Sequence, residues 1–433
     1  MHIAMLVPDL AGHLNPMTTL GRELARRGHR IHVVTYPRAK SSTERAGLEL
    51  LPYGVPEHDA GDRDRDLAKL ASLTGFAGLK FTGQLLTKDV TIGLRDLPGL
   101  WKTHGIEGIV VDQVSPAGAS VAEALGLPFV FACNALALHQ EPGVPPPNLH
   151  WAYRSGMMGR LRNHLGNTLL KFAARPLFRA LMAYRTMNKL PAQQFHQLSR
   201  LGLAQVAQQP SFFDFPREQL PSHFHYTGPW HEPGRDPIAD FPWDKLDGRT
   251  IIYASLGTLQ NRLKHVFAAI LEGCSTENVQ LVLSLGRAGA TWDGPVPANA
   301  LVVPFAPQLD LIDRSTAVIT HAGLNTALET LARGKPMLCI PITNDQPGVA
   351  SRVDYLGAGI VTRPRQVTAE RVRSAVKTLL INPTYRSESE SCAQRMKGAH
   401  GLTKAAEIVE EALTTGKRVE RSAPLFESAP LTR

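Results

Sequence analysis

Residues 2–7 (HIAMLV) form a short, continuously apolar run of the kind that makes a buried strand. A Gly/Asn/Pro turn follows, then a helical segment with Leu20, Leu24 and Ala25 on one side. Gly28 ends that segment, and a second apolar run, IHVVTY, occupies residues 31–36. Strand, helix, strand in this order is a βαβ unit, whose two strands lie parallel beneath a crossover helix. The style recurs. Residues 109–111 are apolar and end at Asp112, a helix is expected around 117–125, and 129–132 gives another strand. In the second half, strands are expected at 251–256, 281–285, 301–303, 317–320 and 337–340, with helices near 262–271 and 325–333. No internal sequence repeat accompanies this pattern. The stretch 214–248 is rich in Pro, Gly, Asp and aromatic residues and has the character of a linker with turns. Two α/β domains facing each other across a cleft is the simplest architecture.

At 433 residues the chain is long enough for two or three domains, and its 43% apolar and 20% charged content is ordinary for a soluble globular protein. Cys133, Cys274, Cys339 and Cys392 are scattered singly, which indicates neither a CxxC metal clip nor a disulfide framework and fits a reducing cytoplasm. The start, MHIAMLVPDLAGHLNP, lacks a basic n-region, and its apolar run stops at Pro8-Asp9, so it is not a signal peptide. No segment approaches the ~20 apolar residues that span a bilayer as a helix. The net charge of +9 favours anionic partners. Nucleic acid is not indicated, because no binding module accompanies the charge. A dinucleotide oxidoreductase is disfavoured too: PDLAGHLNP, not G-x-G-x-x-G, follows the first strand.

The segment Thr320-His321-Ala322-Gly323-Leu324-Asn325-Thr326 has the form of an anion site. A strand ends, Gly323 allows close backbone approach, and Asn325 or Thr326 opens a helix whose free N–H groups favour phosphate. Taken singly, Asn and Thr here are ordinary helix caps and Gly334-Lys335-Pro336 an ordinary helix stop. Caps do not, however, require His321, Glu329 and Asp345-Gln346 together. The whole stretch, HAGLNTALETLARGKPMLCIPITNDQ over 321–346, resembles the nucleotide-sugar signature of the inverting, UDP-dependent family 1 glycosyltransferases. The resemblance implies the two-domain GT-B fold of two Rossmann-like domains, with the acceptor in the N-terminal half and the donor in the C-terminal half. It implies diphosphate contacts from His321, Asn325 and Thr326, with Gly323 in the same UDP-sugar site for close backbone approach, ribose hydroxyls on Glu329, and sugar hydroxyls on Asp345 and Gln346. Phe305-Ala306-Pro307-Gln308 resembles the start of the same block. Many relatives carry Trp where Phe305 stands, and Phe offers uracil a smaller stacking face. Ser255-Leu256-Gly257-Thr258 resembles the second phosphate loop.

Inversion at an anomeric carbon needs a base for the acceptor hydroxyl, and a histidine, with an ordinary pKa near ~6.5, suits that task. His13, in Gly12-His13-Leu14-Asn15-Pro16 on the loop after the first strand, matches the family's catalytic loop. Asp112 matches its partner position and implies a His-Asp pair in which a substrate hydroxyl replaces a serine. No cofactor or metal is required on this reading. Asp62-Arg63-Asp64-Arg65-Asp66 is expected to be a solvated charge run in a loop-like stretch.

Between Pro142 and Phe213 there is no Asp or Glu, yet nine Lys or Arg occur. Leu161, Leu165, Leu169 and Phe172 share one helical face, with Arg160, His164, Lys171 and Arg175 mostly elsewhere, and Pro176 is expected to break the helix. Such a helix fits either the roof of an acceptor pocket or contact with an anionic membrane surface. IEGIVVDQVSPAGASVAEALGLPFV, ALALHQEPGVPPP and YASLGTLQ resemble a bacterial branch of the family that glucosylates zeaxanthin. That likeness implies a UDP-hexose donor, with glucose the simplest choice, and a lipophilic alcohol acceptor such as a hydroxylated carotenoid. A sterol, lipid or polyketide acceptor, a nucleotide-sugar epimerase and a non-catalytic nucleotide-sugar-binding protein are the alternatives. The expected division is an acceptor domain over 1–213, a linker over 214–248 and a donor domain over 249–400. A helix over 401–416 crosses back to the first domain, and 417–433 is a tail, expected to fray after Arg418. A cytoplasmic location, at the membrane surface if the basic helix binds lipid, follows.

Overall fold

The protein is described as a computed structural model covering residues 1–422, apart from 74, 199, 231–240, 259–262 and 288. The first sheet contains β1 (His2–Leu6), β2 (Arg30–Thr35), β3 (Glu49–Pro52), β4 (Gly108–Asp112), β5 (Phe129–Cys133), β6 (Gln205–Ala207) and β7 (Phe224–Tyr226). Its order is β3-β2-β1-β4-β5-β6-β7. The second contains β8 (Thr250–Ser255), β9 (Val279–Ser284), β10 (Ala300–Val303), β11 (Ser315–Thr320), β12 (Met337–Cys339) and β13 (Gly359–Val361), in the order β10-β9-β8-β11-β12-β13. Every pairing is parallel. Parallel sheets are covered on both faces, so their strands are apolar throughout; β4 and β5 are buried along their whole length.

Helix Ala11–Arg26 follows β1 and packs against helix Gly401–Thr415, whose Ala405, Ala406, Val409 and Ala412 enter the core of the first sheet. The chain thus ends on the domain in which it began, and Glu410 is bonded there by Arg27 Nη1 (3.2 Å) and His29 Nε2 (3.1 Å).

Four expectations need correction. The stretch 214–248 is not only linker: it carries β7, the edge strand of the first sheet. It also carries Asp214, whose carboxylate accepts from Arg217 Nε at 2.7 Å and Arg352 Nε at 3.0 Å, both buried. A three-residue strand amid prolines leaves no periodic signal. The chain beyond Arg418 is not frayed as far as it is described, since Val419 N donates to Leu203 O at 3.0 Å and Arg421 N to Ser222 O at 2.8 Å; 423–433 lie outside the described residues. Asp62–Ser72 is a helix, not a solvated loop. Arg63, Leu67 and Leu70 form its buried face, and Arg63 donates to Asp9 Oδ1 and to Asp89 Oδ1, both at 3.0 Å. Finally, His13 lies in the first turn of helix Ala11–Arg26 rather than on a loop. Pro16 suggests a later helix start, but the helix runs through it, and the missing N–H leaves the Gly12 carbonyl without its intrahelical donor.

The chain does break where Pro176 predicts, between helices Gly156–Ala173 and Arg175–Met187. Residues 57–100, which carry no motif, are mainly helical, with Gly75–Thr103 forming one long helix beside the cleft.

Candidate active site

The carboxyl ends of both sheets open on one cavity of about 2040 Å3, far larger than the ~300–1,000 Å3 of a typical ligand site. His13, Gln113 and Asn134 line it from the first domain; Ser255, His321 and Glu329 line it from the second.

Asp112, the last residue of β4, is fully buried. Its Oδ2 accepts from His13 Nδ1 at 2.8 Å and from Asn134 Nδ2 at 2.7 Å, and its Oδ1 accepts from Val114 N at 2.9 Å. Nδ1 therefore carries the proton facing Asp112, and Nε2 is left as the basic nitrogen. Burial disfavours charge on His13, but the Asp112 carboxylate outweighs it and Asp345 adds to the effect, so the imidazole is held above its ordinary pKa.

On the donor side, β11 ends at Thr320, Ala322 adopts a left-handed φ of 61°, and helix Leu324–Ala332 begins after Gly323. His321 is wedged between glycines. A Cβ at Gly257 would lie 2.7 Å from the ring's Cε1 and Nε2, and one at Gly323 2.6 Å from Nε2. Gly257 also needs its glycine for a φ of +76°. Burial pushes the His321 imidazole down to about 4, and its Nδ1 has no hydrogen-bond partner. His321 is thus neutral at pH 7, with an N–H to offer rather than a positive charge.

Glu329 is buried and accepts from Gln308 Nε2 at 2.6 Å; Gln308 also reaches Thr326 Oγ1 at 3.3 Å. Phe305 stands 46% exposed on the cavity wall with Ala306 buried behind it. Ser255 ends β8, and its Oγ accepts from Gly257 N at 3.3 Å, curling the loop that carries Thr258. Asp345 Oδ2 accepts from Leu136 N of the other domain at 3.2 Å, and burial holds its carboxyl above the usual range. Gln346 spends its side-chain oxygen on Ile342 N (2.8 Å) and Thr343 N (3.0 Å), which leaves its amide nitrogen to give. Asn325 crosses the cleft: its Nδ2 donates to Gly12 O at 3.0 Å.

Three residues escaped the sequence reading: Asn134 and Arg287, which line the cavity, and Gln208, buried beside it. Asn134 and Gln208 each follow directly on a strand, β5 and β6, and Arg287 stands on the loop after β9, where ligands gather in open sheets. Among the described residues, no three His, Cys, Asp or Glu side chains converge as a metal site, and no helix is long and apolar enough to cross a membrane.

This geometry has counterparts. The family model described as UDP-glucoronosyl and UDP-glucosyl transferase matches residues 99–390. The chain belongs to this family. It is 30% identical to a zeaxanthin glucosyltransferase of Pantoea ananas over 96% of this chain and 97% of that one. It is 29% identical to another of Pseudescherichia vulneris over 96% and 99%. In fold it is similar to the solved glycotransferase of kitacinnamycin, with a TM-score of 0.75 and 22% identity over 95% of this chain and 98% of that one. The protein is a glycosyltransferase of the GT-B fold, and its paired Rossmann-like sheets are those the motifs predict.

Proposed function

We propose that this glycosyltransferase is an inverting, metal-independent enzyme. It moves a hexose, most simply glucose, from UDP to a hydroxyl of a hydrophobic acceptor, namely a hydroxylated carotenoid such as zeaxanthin. The observation that carries the reading is the buried Asp112–His13 pair, placed where a large acceptor cavity meets the donor loops. His13 Nε2 takes the acceptor proton as the hydroxyl oxygen bonds to the anomeric carbon. The bond from that carbon to the β-phosphate oxygen breaks from the opposite face, and its electron pair leaves with UDP. Asp112 stabilises the imidazolium and fixes the tautomer. The N-terminus of helix Leu324–Ala332, the N–H of His321 and the guanidinium of Arg287 face the leaving diphosphate. Glu329 takes the ribose, Phe305 the uracil, and Asp345 and Gln346 the sugar hydroxyls.

The same region supports peripheral contact with an anionic bilayer. On helix Gly156–Ala173, Met157, Met158, Leu161, Leu165, Leu169 and Phe172 are all exposed, at helical spacing, in a stretch without acidic residues. Leu169 and Phe172 also line the cavity, so the exposed apolar face of this helix is continuous with the cavity that His13 lines.

The test is mass spectrometry of products from UDP-glucose and zeaxanthin in anionic liposomes, beside sterol, lipid and polyketide alcohols. A hexose added to zeaxanthin well above the others supports the reading. Transfer only to another alcohol moves the acceptor class. No transfer to any alcohol, with UDP still bound, supports a non-catalytic binder. Flotation at low salt tests the membrane contact: the wild type is expected to float and Leu161→Glu/Leu165→Glu to stay behind, whereas a wild type that does not float contradicts it.

A further inference from the structure

Three strands end side by side at the cleft, and each sets a polar residue there: Asp112 on β4, Asn134 after β5 and Gln208 after β6. Asn134 Nδ2 donates to the same Asp112 oxygen as His13 does. Gln208 Nε2 donates to Asn134 O at 2.6 Å and to Asn325 Oδ1 at 2.8 Å. Asn325 Nδ2 donates to Gly12 O at 3.0 Å, and Gly12 adjoins His13. The chain of bonds closes on itself: Asp112, Asn134, Gln208, Asn325, Gly12, His13, Asp112.

One detail explains why Gly12 can take part. In a helix the carbonyl of residue 12 would accept from the N–H of residue 16, but residue 16 is proline and has none. The carbonyl beside the base is thereby freed for a donor from the other domain. Asn134 and Gln208 are almost fully buried, where an unmade hydrogen bond is costly. Five members of the ring belong to the first domain, and only Asn325, in the first turn of the donor-domain helix, crosses from the second.

We propose that Gln208 and Asn134 are positioning residues that make the alignment of the His13–Asp112 pair depend on the donor domain being in place. With the donor domain seated, Asn325 holds both Gly12 and Gln208, and the base is fixed. Without it the ring opens at Asn325, and Gly12 O in the His13 turn and the Gln208 amide lose their shared Asn325 partner together. The base is thus held in line only while the donor site is closed over it. This rests on the transferase reading of His13.

The experiment is hydrogen exchange across residues 9–15 with and without saturating UDP, paired with calorimetry and steady-state kinetics, on wild type, Gln208→Leu and Gln208→Glu. The Glu variant keeps the shape but can offer at most one proton to the two oxygens that the amide serves. UDP is expected to slow exchange over 9–15 in the wild type. Both variants should bind UDP within about twofold of wild type yet lose that protection, with kcat down about 10- to 100-fold and the UDP-glucose KM little changed. Adding Gln208→Leu to Asn325→Ala should lower kcat no further, because one link is already broken. Protection intact in both variants, or multiplicative losses in the double variant, overturns the proposal. Absence of UDP binding in the wild type instead overturns the transferase reading beneath it.

Discussion

Replacing Gly323 by alanine tests the donor site at a single methyl group. The added Cβ would sit 2.6 Å from His321 Nε2 and 2.9 Å from Cε1, so the ring must retreat by about 0.8 Å to reach an ordinary contact near 3.4 Å. The ring is wedged against Gly257 on its other side, so it can retreat only by leaving its present position. The backbone is no obstacle: Gly323 has φ −64° and ψ 138°, which alanine adopts freely. The loss of a good N-cap residue costs about 1 kcal/mol at most, or ~2–4 °C in melting temperature for a domain of this size. A displacement approaching 1 Å at a group that meets the reacting diphosphate costs roughly 100-fold in rate, about 2.7 kcal/mol of transition-state stabilisation. Gly323→Ala is therefore expected to melt within a few degrees of wild type while UDP affinity by calorimetry and kcat/KM for UDP-glucose fall by roughly 30- to 100-fold. Gly12→Ala is the control. Nothing lies within 4 Å of its added Cβ, so its melting temperature should hold or rise slightly. Wild-type affinity and turnover in Gly323→Ala would refute the reasoning, because the Nε2 edge of His321 would then not face the donor.

Three further outcomes follow from the same structure. Because Asp112 holds the His13 imidazole above its ordinary value and the base must be neutral to accept a proton, kcat/KM should fall on the acid side with an apparent pKa above 6.5. In Asp112→Asn burial acts unopposed by that charge, so the acid limb should move to lower pH as the rate drops; a limb that moves up contradicts the pairing. Arg63→Met strands Asp9 and Asp89 without their shared cation, and denaturant unfolding should show a loss of about 3–5 kcal/mol. Unchanged stability would mean the buried network is not held by charge.

Much of this fold is visible in the sequence because parallel strands buried on both faces must be apolar without interruption. HIAMLV, IHVVTY and FVFAC announce themselves in that way. β6, β7 and β13, at three residues each, do not, because such short runs are indistinguishable from loop hydrophobics. Helix Asp62–Ser72 is hidden by its charges: the burial of Arg63 depends on Asp9 and Asp89, which its local sequence does not reveal. At the site, His13, Asp112 and the 321–346 stretch are legible as residue types at fixed offsets. Their partners are not. Asn134, Gln208 and Asn325 join the His13–Asp112 pair across separations of 22 to 313 residues, and only the order of the strands brings them together.

The central claim is that His13 is the base and not a donor ligand. The most direct test measures UDP affinity and product formation side by side in His13→Ala, using whichever alcohol the wild type glycosylates. The account predicts UDP binding within about twofold of wild type and transfer reduced by at least ~100-fold. Equal loss of both, or transfer that survives, would contradict it.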